Sequence, residues 1–207
     1  SSGHLWDLAA TKGLTYRSYG EFADRVSEGS ETVSRGAVPA LVGHVNPRYL
    51  RSGRRDTENV KVFIEEFDAY EKNFDSPDPA KRLPHYIVMS LGENHTRGTA
   101  PGAHTPSACV ANNDWALGQL VDRVSHSRYW PETAIFVIED DAQNGPDHVD
   151  ARRTTGLVVS PYTKRKVVDS TLYTTSSMVR AKSRTLIPIP LVLYVIHMAG
   201  LTVTVSV

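Results

Sequence analysis

The chain has 207 residues, with 23 basic and 23 acidic side chains and 40% apolar content. This length and composition are typical of one globular domain with a substantial core. A formal net charge of zero argues against general nucleic-acid binding, which requires a basic surface that neutralises phosphates. The single cysteine, Cys109, excludes an internal disulfide and a zinc site built from several cysteines.

The first 55 residues are predicted to form a helix, a strand and a long loop. Residues 1–4 lead directly into the apolar start of a helix over 5–12, without a signal peptide, so we expect the sequence to be a piece of a longer protein. Gly13 closes this helix, and residues 14–19 are predicted to form a strand. Residues 27–55 are rich in Gly, Ser, Pro and Arg without clear periodicity, which predicts a long surface loop.

The middle of the chain alternates between helical and strand patterns. A helix is predicted from Asp56, as its capping residue, to about Asn73, because apolar side chains recur on one face. The fully apolar run 86–91 predicts a strand buried on both faces, as in a parallel sheet. Thr105, which precedes a proline, predicts the start of another helix that runs to about Ser125.

Two further strands complete the predicted sheet. The β-branched apolar run 133–138 predicts a buried strand that ends in the carboxylates Glu139-Asp140-Asp141, and residues 155–160 predict a short strand. Strands that alternate with helices predict an α/β fold with a largely parallel sheet sandwiched by helices. We assign residues 1–185 to this domain.

The end of the chain, residues 186–207, is an almost wholly apolar tail whose status the sequence leaves open. The tail is about long enough to cross a bilayer. However, Pro188 and Pro190 lie near its start and no basic cluster follows it. A core strand, or a tail read in a non-native frame, is therefore favoured over contact with a membrane.

Polar side chains that could bind a metal follow the predicted strand ends. They form three groups, at residues 93–95, 139–141 and 147–148, and the carboxyl ends of parallel strands meet at one edge of a sheet. Adjacent carboxylates repel one another unless a cation holds them. Carboxylates with imidazoles suit Zn²⁺, Mn²⁺ or Fe, and Mg²⁺ or Ca²⁺ are favoured where oxygen dominates. The alternative is an acidic loop in water that has no function.

Several motifs of the chain occur together in one known family. They are Glu93-Asn94-His95-Thr96, the run 113–118, the acidic strand 133–143 and Asp147-His148-Val149-Asp150. With these motifs, the stretch from Pro84 to Arg180 resembles the C-terminal part of a bacterial phosphoesterase domain of the alkaline phosphatase superfamily. The resemblance is closest to the acid phosphatase and phospholipase C type, and the segment 6–22 is also similar to this family. It implies an alkaline-phosphatase-like fold, which is incomplete in this chain.

The resemblance implies a metal-dependent hydrolase of phosphate esters. By this likeness Asp140 and Asp141 are metal ligands, and His95 is a metal ligand or a phosphate contact. His148 lies beside the metal or protonates the leaving group. Further candidates for the site are His104, which follows the same loop and is a rival to His95, together with Glu139, Asp147 and Asn94.

Three departures from the family affect these expectations. Asn94 stands where the family usually has Asp, which removes a negative charge from the site. From Ala181 onward the chain differs from the family ending, as a shifted reading frame would. The family's Ser or Thr nucleophile is expected upstream of Ser1, so no residue of this chain is assigned that role.

The expected partners follow from the same likeness. The substrate is a phosphate ester, the missing N-terminal portion of the domain completes the site, and neither nucleic acid nor a membrane is expected to bind. A periplasmic or secreted location is implied. The alternative function is a non-catalytic remnant that binds a metal or phosphate.

Overall fold

The structure, a computed structural model, describes residues 4–139, 155–168, 170–174 and 176–177, and the backbone of residues 191–197. It has a mixed α/β architecture with a five-stranded sheet and a separate two-stranded hairpin. The helices are α1 (Leu5–Thr11), α2 (Asp56–Lys72) and α3 (Pro106–Ser125). The strands are β1 (Tyr16–Tyr19), β2 (Ala23–Glu28), β3 (Glu31–Gly36), β4 (Tyr86–Leu91), β5 (Thr133–Glu139), β6 (Gly156–Val159) and β7 (Leu191–His197).

The sheet has the strand order β1-β4-β7-β5-β6, and its first four strands are parallel. In the register of the sheet, His197 lies opposite both Leu91 and Glu139, so the carboxyl ends of β4, β7 and β5 are aligned at one edge. The edge strand β6 runs antiparallel to β5. The predicted short strand near residues 155–160 therefore exists, but it does not extend the parallel arrangement.

Helices pack on both faces of the sheet because successive strand residues point to opposite sides. One face of β4 and β5 packs against α2 and α3, and the other packs against α1 and the segment that contains Leu41. Each fully buried apolar side chain contributes about 1.5–3 kcal/mol. The predicted sandwich of helices around a largely parallel sheet is thus confirmed at the level of a mixed α/β fold. The core residues of the first face include Val60, Phe63, Phe67, Met89, Leu120 and Ile135.

The two long helices begin in different ways. Thr105 caps α3, since its hydroxyl accepts a hydrogen bond from the Ala108 amide at 3.3 Å, as its sequence predicts. The prediction that Asp56 caps α2 is wrong. Arg55 is the residue at the cap position, and Asp56 is the first residue of the helix. The Asp56 carboxylate instead accepts hydrogen bonds from the loop after β4.

The prediction of one long surface loop over residues 27–55 is also wrong. Strands β2 and β3 form an antiparallel hairpin around Gly29, which has a φ of 63° that favours glycine. The pattern was not recognisable because most side chains of this hairpin are polar and exposed. The segment after the hairpin buries Leu41 and Tyr49 completely and so belongs to the core.

The strand β7 lies inside the region predicted to be an apolar tail. It occupies a central position in the sheet, between β4 and β5. In the part of the chain that the structure describes, no helix has the length and apolar character needed to cross a membrane.

Candidate functional site

A short 3₁₀ turn, Glu93–His95, directly follows the carboxyl end of β4. Its three side chains have different environments. Asn94 is only 2% exposed, and neither atom of its amide group has a hydrogen-bond partner among the described residues. His95 is exposed to solvent. The turn therefore presents one imidazole to solvent and holds one unpartnered carboxamide below the surface.

The carboxylate of Asp56 fixes the start of this turn. It accepts hydrogen bonds from the amides of Gly92 and Glu93 at 3.2 and 2.9 Å, and from the Asn113 side chain at 2.8 Å. Burial raises the pKa of Asp56, and these hydrogen bonds oppose that rise. Asp56 thus joins α2, α3 and the end of β4 at one point.

Glu93 contacts the start of α2 through both of its carboxylate oxygens. One of its carboxylate oxygens accepts a hydrogen bond from the Asp56 amide at 3.0 Å. The other forms an ion pair with the Arg55 guanidinium at 2.5 Å, and the Glu93 side chain is only 10% exposed. The ion-paired oxygen has no hydrogen-bond partner among the described residues, but the Arg55 charge neutralises it. Glu93 therefore supports the turn and is a poor candidate for binding an ion.

Further polar atoms lie buried near the end of β4. Asn113 donates to the Leu91 carbonyl at 3.2 Å, but its side-chain oxygen has no partner among the described residues, and neither has the Ser90 hydroxyl. A buried polar atom without a partner costs about 1–3 kcal/mol. Such atoms are usually paired with ordered water, an ion or a ligand. The unpaired oxygens of Asn94 and Asn113 therefore favour a bound polar species near this turn.

The backbone of Thr96, immediately after His95, is strained. Its φ of 54° and ψ of 172° lie in a region that is normally occupied by glycine. A β-branched residue in such a conformation costs on the order of 1–3 kcal/mol. Strain of this kind is concentrated at functional sites, so it adds to the reasons for placing a site at this turn.

The second predicted group begins at the carboxyl end of β5. Glu139 is half-buried, and its carboxylate accepts a hydrogen bond from the Thr155 amide at 3.3 Å. One strand separates β4 from β5, so their ends are about 10 Å apart at the usual strand spacing. The remaining predicted site residues, Asp140, Asp141, Asp147 and His148, lie outside the residues that the structure describes.

Among the residues that are described, no group of three His, Cys, Asp or Glu side chains could hold a metal ion. The residues that fit a cation are Asn94, whose unpartnered carboxamide offers an oxygen, and the exposed imidazole of His95. His104 is exposed in the loop before α3. Cys109 is buried, and this burial raises its pKa, which makes the thiol a weak nucleophile.

Two residues of this site were not identified from sequence. The sequence predicts Asp56 to be a helix cap, and it indicates Asn113 only as part of a motif. Both lie on helices, and only the packing of α2 and α3 against β4 brings their side chains to the strand end. The sequence signal was limited to polar residues on predicted helices, which are usually exposed.

No protein-family model, curated protein or solved structure matches the chain. The function proposed for it therefore rests on the resemblance of its motifs and on the geometry of the site.

Proposed function

We propose that the chain is part of a metal-dependent phosphoesterase with an alkaline-phosphatase-like fold, and that its site lies at the carboxyl edge of β4 and β5. The observation that carries the proposal is the alignment of these parallel strands through β7. Their shared edge carries the turn with Asn94 and His95 and the start of the acidic run at Glu139. Open α/β sheets bind ligands at this edge.

In this proposal, Asp140 and Asp141 hold a divalent cation, and His95 contributes a nitrogen donor. The side-chain oxygen of Asn94 is a neutral donor beside them. When bound, such a cation polarises a phosphoryl oxygen and stabilises the negative charge that develops during phosphoryl transfer. His148 provides a proton for the leaving oxygen. The nucleophile is expected from the N-terminal portion of the domain.

The metal part of the proposal is tested by the substitution Asn94→Asp. A carboxylate is a stronger ligand for a hard cation than a carboxamide, so we expect Mn²⁺ to bind about tenfold more tightly, measured by calorimetry. Without metal, an unpartnered buried carboxylate is costly, so the melting temperature should fall, and Mn²⁺ should restore it.

The matched control is Asn73→Asp, which adds the same charge at the exposed C-terminal end of α2. This control should bind Mn²⁺ with the affinity of the parent chain, and Mn²⁺ should change its melting temperature by as much as it changes that of the parent. If Asn94→Asp behaves like this control, the turn after β4 takes no part in metal binding, and the proposal is wrong at that point.

The second candidate is a non-catalytic remnant that binds a metal or phosphate. It is favoured by the neutral Asn94 at the strand end, where the family usually has Asp. Hydrolysis of p-nitrophenyl phosphate with Mn²⁺ separates the two. We expect little or no turnover by the chain alone, and turnover that Asp141→Asn abolishes once the upstream portion is restored. Metal binding without turnover in the restored protein would favour the remnant.

A further inference from the structure

An arginine-rich loop, residues 48–55, crosses the carboxyl edge of the sheet next to the turn at 93–95. A Cβ added at Gly20 would lie 3.3 Å from the Cβ of Arg51. A Cβ added at Gly92 would lie 3.2 Å from the Arg51 carbonyl oxygen. These two glycines directly follow β1 and β4. Arg51 therefore lies over the ends of both strands, at the edge where the proposed site is located.

The loop is held rigidly at both ends. Before Arg51, the Asn59 side chain bonds both the amide and the carbonyl of Leu50, at 3.1 and 2.7 Å, and the Tyr49 hydroxyl donates to the Ser90 carbonyl at 2.8 Å. After it, Arg55 forms its ion pair with Glu93. The position of the Arg51 backbone is thus fixed before any ligand binds, which lowers the entropic cost of binding.

Other arginines of this loop already have partners. Arg48 forms an ion pair with Glu65 at 2.8 Å, and Arg54 donates a hydrogen bond to the Arg48 carbonyl. In contrast, the exposed Arg51 has no carboxylate within ion-pair distance in the described part of the chain. Among these residues, no carboxylate neutralises its charge.

A second arginine reaches this loop from the hairpin. The guanidinium of Arg25, on β2, lies 3.4 Å from the Ser52 hydroxyl. It also packs directly against Gly53, where an added Cβ would lie 2.6 Å from a guanidinium nitrogen of Arg25. Arg25 is exposed and, like Arg51, has no carboxylate partner among the residues described. The Arg25 guanidinium therefore lies against Ser52 and Gly53, the two residues that directly follow Arg51, and Ser52 adds a hydroxyl to this stretch of surface.

We propose that Arg25 and Arg51 bind a phosphate group of a soluble phosphate ester at the carboxyl edge of β1 and β4. The proposal rests on the proposed function, since it assigns these residues to recognition of that enzyme's substrate. Guanidinium groups match the geometry of phosphate oxygens and form charge-assisted hydrogen bonds with them. Neither residue is among the proposed metal ligands, so binding of the anion can be measured without metal.

The test is a calorimetric titration of the full chain with inorganic phosphate and with glycerol 3-phosphate, at low salt and with EDTA present. We expect binding by the parent, and at least about tenfold weaker binding by Arg25→Gln/Arg51→Gln, because two charge-assisted contacts are lost. The control Lys81→Gln/Arg82→Gln removes two exposed positive charges before β4, at the opposite edge of the sheet. It should bind phosphate as the parent does.

Several results would overturn the proposal. The first is that the parent does not bind phosphate. The second is that the Arg25→Gln/Arg51→Gln variant binds phosphate as tightly as the parent does. The third is that the control loses as much affinity as this variant, which would show attraction by net charge alone. Binding to vesicles of phosphatidic acid and phosphatidylcholine, without binding to glycerol 3-phosphate, would assign the arginines to a membrane surface instead. Because EDTA removes metals, failure here is distinguishable from failure of the metal titration.

Discussion

The buried carboxylate of Asp56 provides a direct test of how the turn after β4 is held. Asp56→Ala removes the acceptor of three hydrogen bonds: two from the amides of Gly92 and Glu93, and one from the side chain of Asn113, which keeps its other bond to the β4 backbone. Each orphaned buried donor costs about 1–3 kcal/mol. Relief of the buried charge, whose burial raises the pKa of Asp56, offsets part of this cost. We expect a net loss of roughly 2–4 kcal/mol in the free energy of unfolding.

The assay is urea unfolding combined with amide hydrogen exchange. In the variant, the amides of Gly92 and Glu93 should exchange faster, since their acceptor is gone. The control is Asp78→Ala, where an exposed carboxylate accepts a hydrogen bond from the Ala80 amide at 3.0 Å and water can replace it. A loss no larger than in this control, with unchanged exchange at Gly92 and Glu93, would refute the role assigned to Asp56.

Three other substitutions have expected outcomes. Thr96→Gly should stabilise the chain by about 1 kcal/mol in thermal unfolding, because glycine relieves the strain at a φ of 54°. Leu120→Ala should destabilise it by about 2–5 kcal/mol in urea, since Leu120 is fully buried between α3 and the sheet. Burial and the nearby Arg82 lower the pKa of His85, whose Nδ1 accepts from the Thr15 amide. The unfolded chain therefore takes up the proton first, and stability should fall as the pH drops below about 6.5. His85→Asn should remove this part of the pH dependence, and an unchanged profile would contradict it.

Much of the sheet and its helices was predictable because the local patterns are strong. The uninterrupted apolar run of β4 and the periodic apolar face of α2 leave few alternatives. The hairpin of β2 and β3 was missed because it buries few side chains and so lacks apolar alternation. The direction of β6 was also not predictable, because strand polarity depends on tertiary packing and not on the composition of a four-residue segment.

The candidate site was predictable only in part, for a related reason. Polar residues that follow predicted strands identified the turn with Asn94 and His95. Whether such a residue is buried, paired or exposed depends on neighbours that are distant in sequence. Asp56 bonds the amide of Glu93 across 37 positions, and Arg51 lies beside Gly20 only because the loop crosses the sheet edge. No local pattern encodes these contacts.

Binding of a divalent cation at the carboxyl edge of the sheet can be measured by calorimetric titration with Mn²⁺ and Zn²⁺ of the parent and of Asp140→Asn/Asp141→Asn. The control Asp75→Asn/Asp122→Asn removes two exposed carboxylates, one shortly after the end of α2 and one in the last turn of α3. We expect the parent and the control to bind the cation, and the Asp140→Asn/Asp141→Asn variant not to bind it. Equal titrations for all three proteins would contradict this expectation and would mean that the acidic run is solvated.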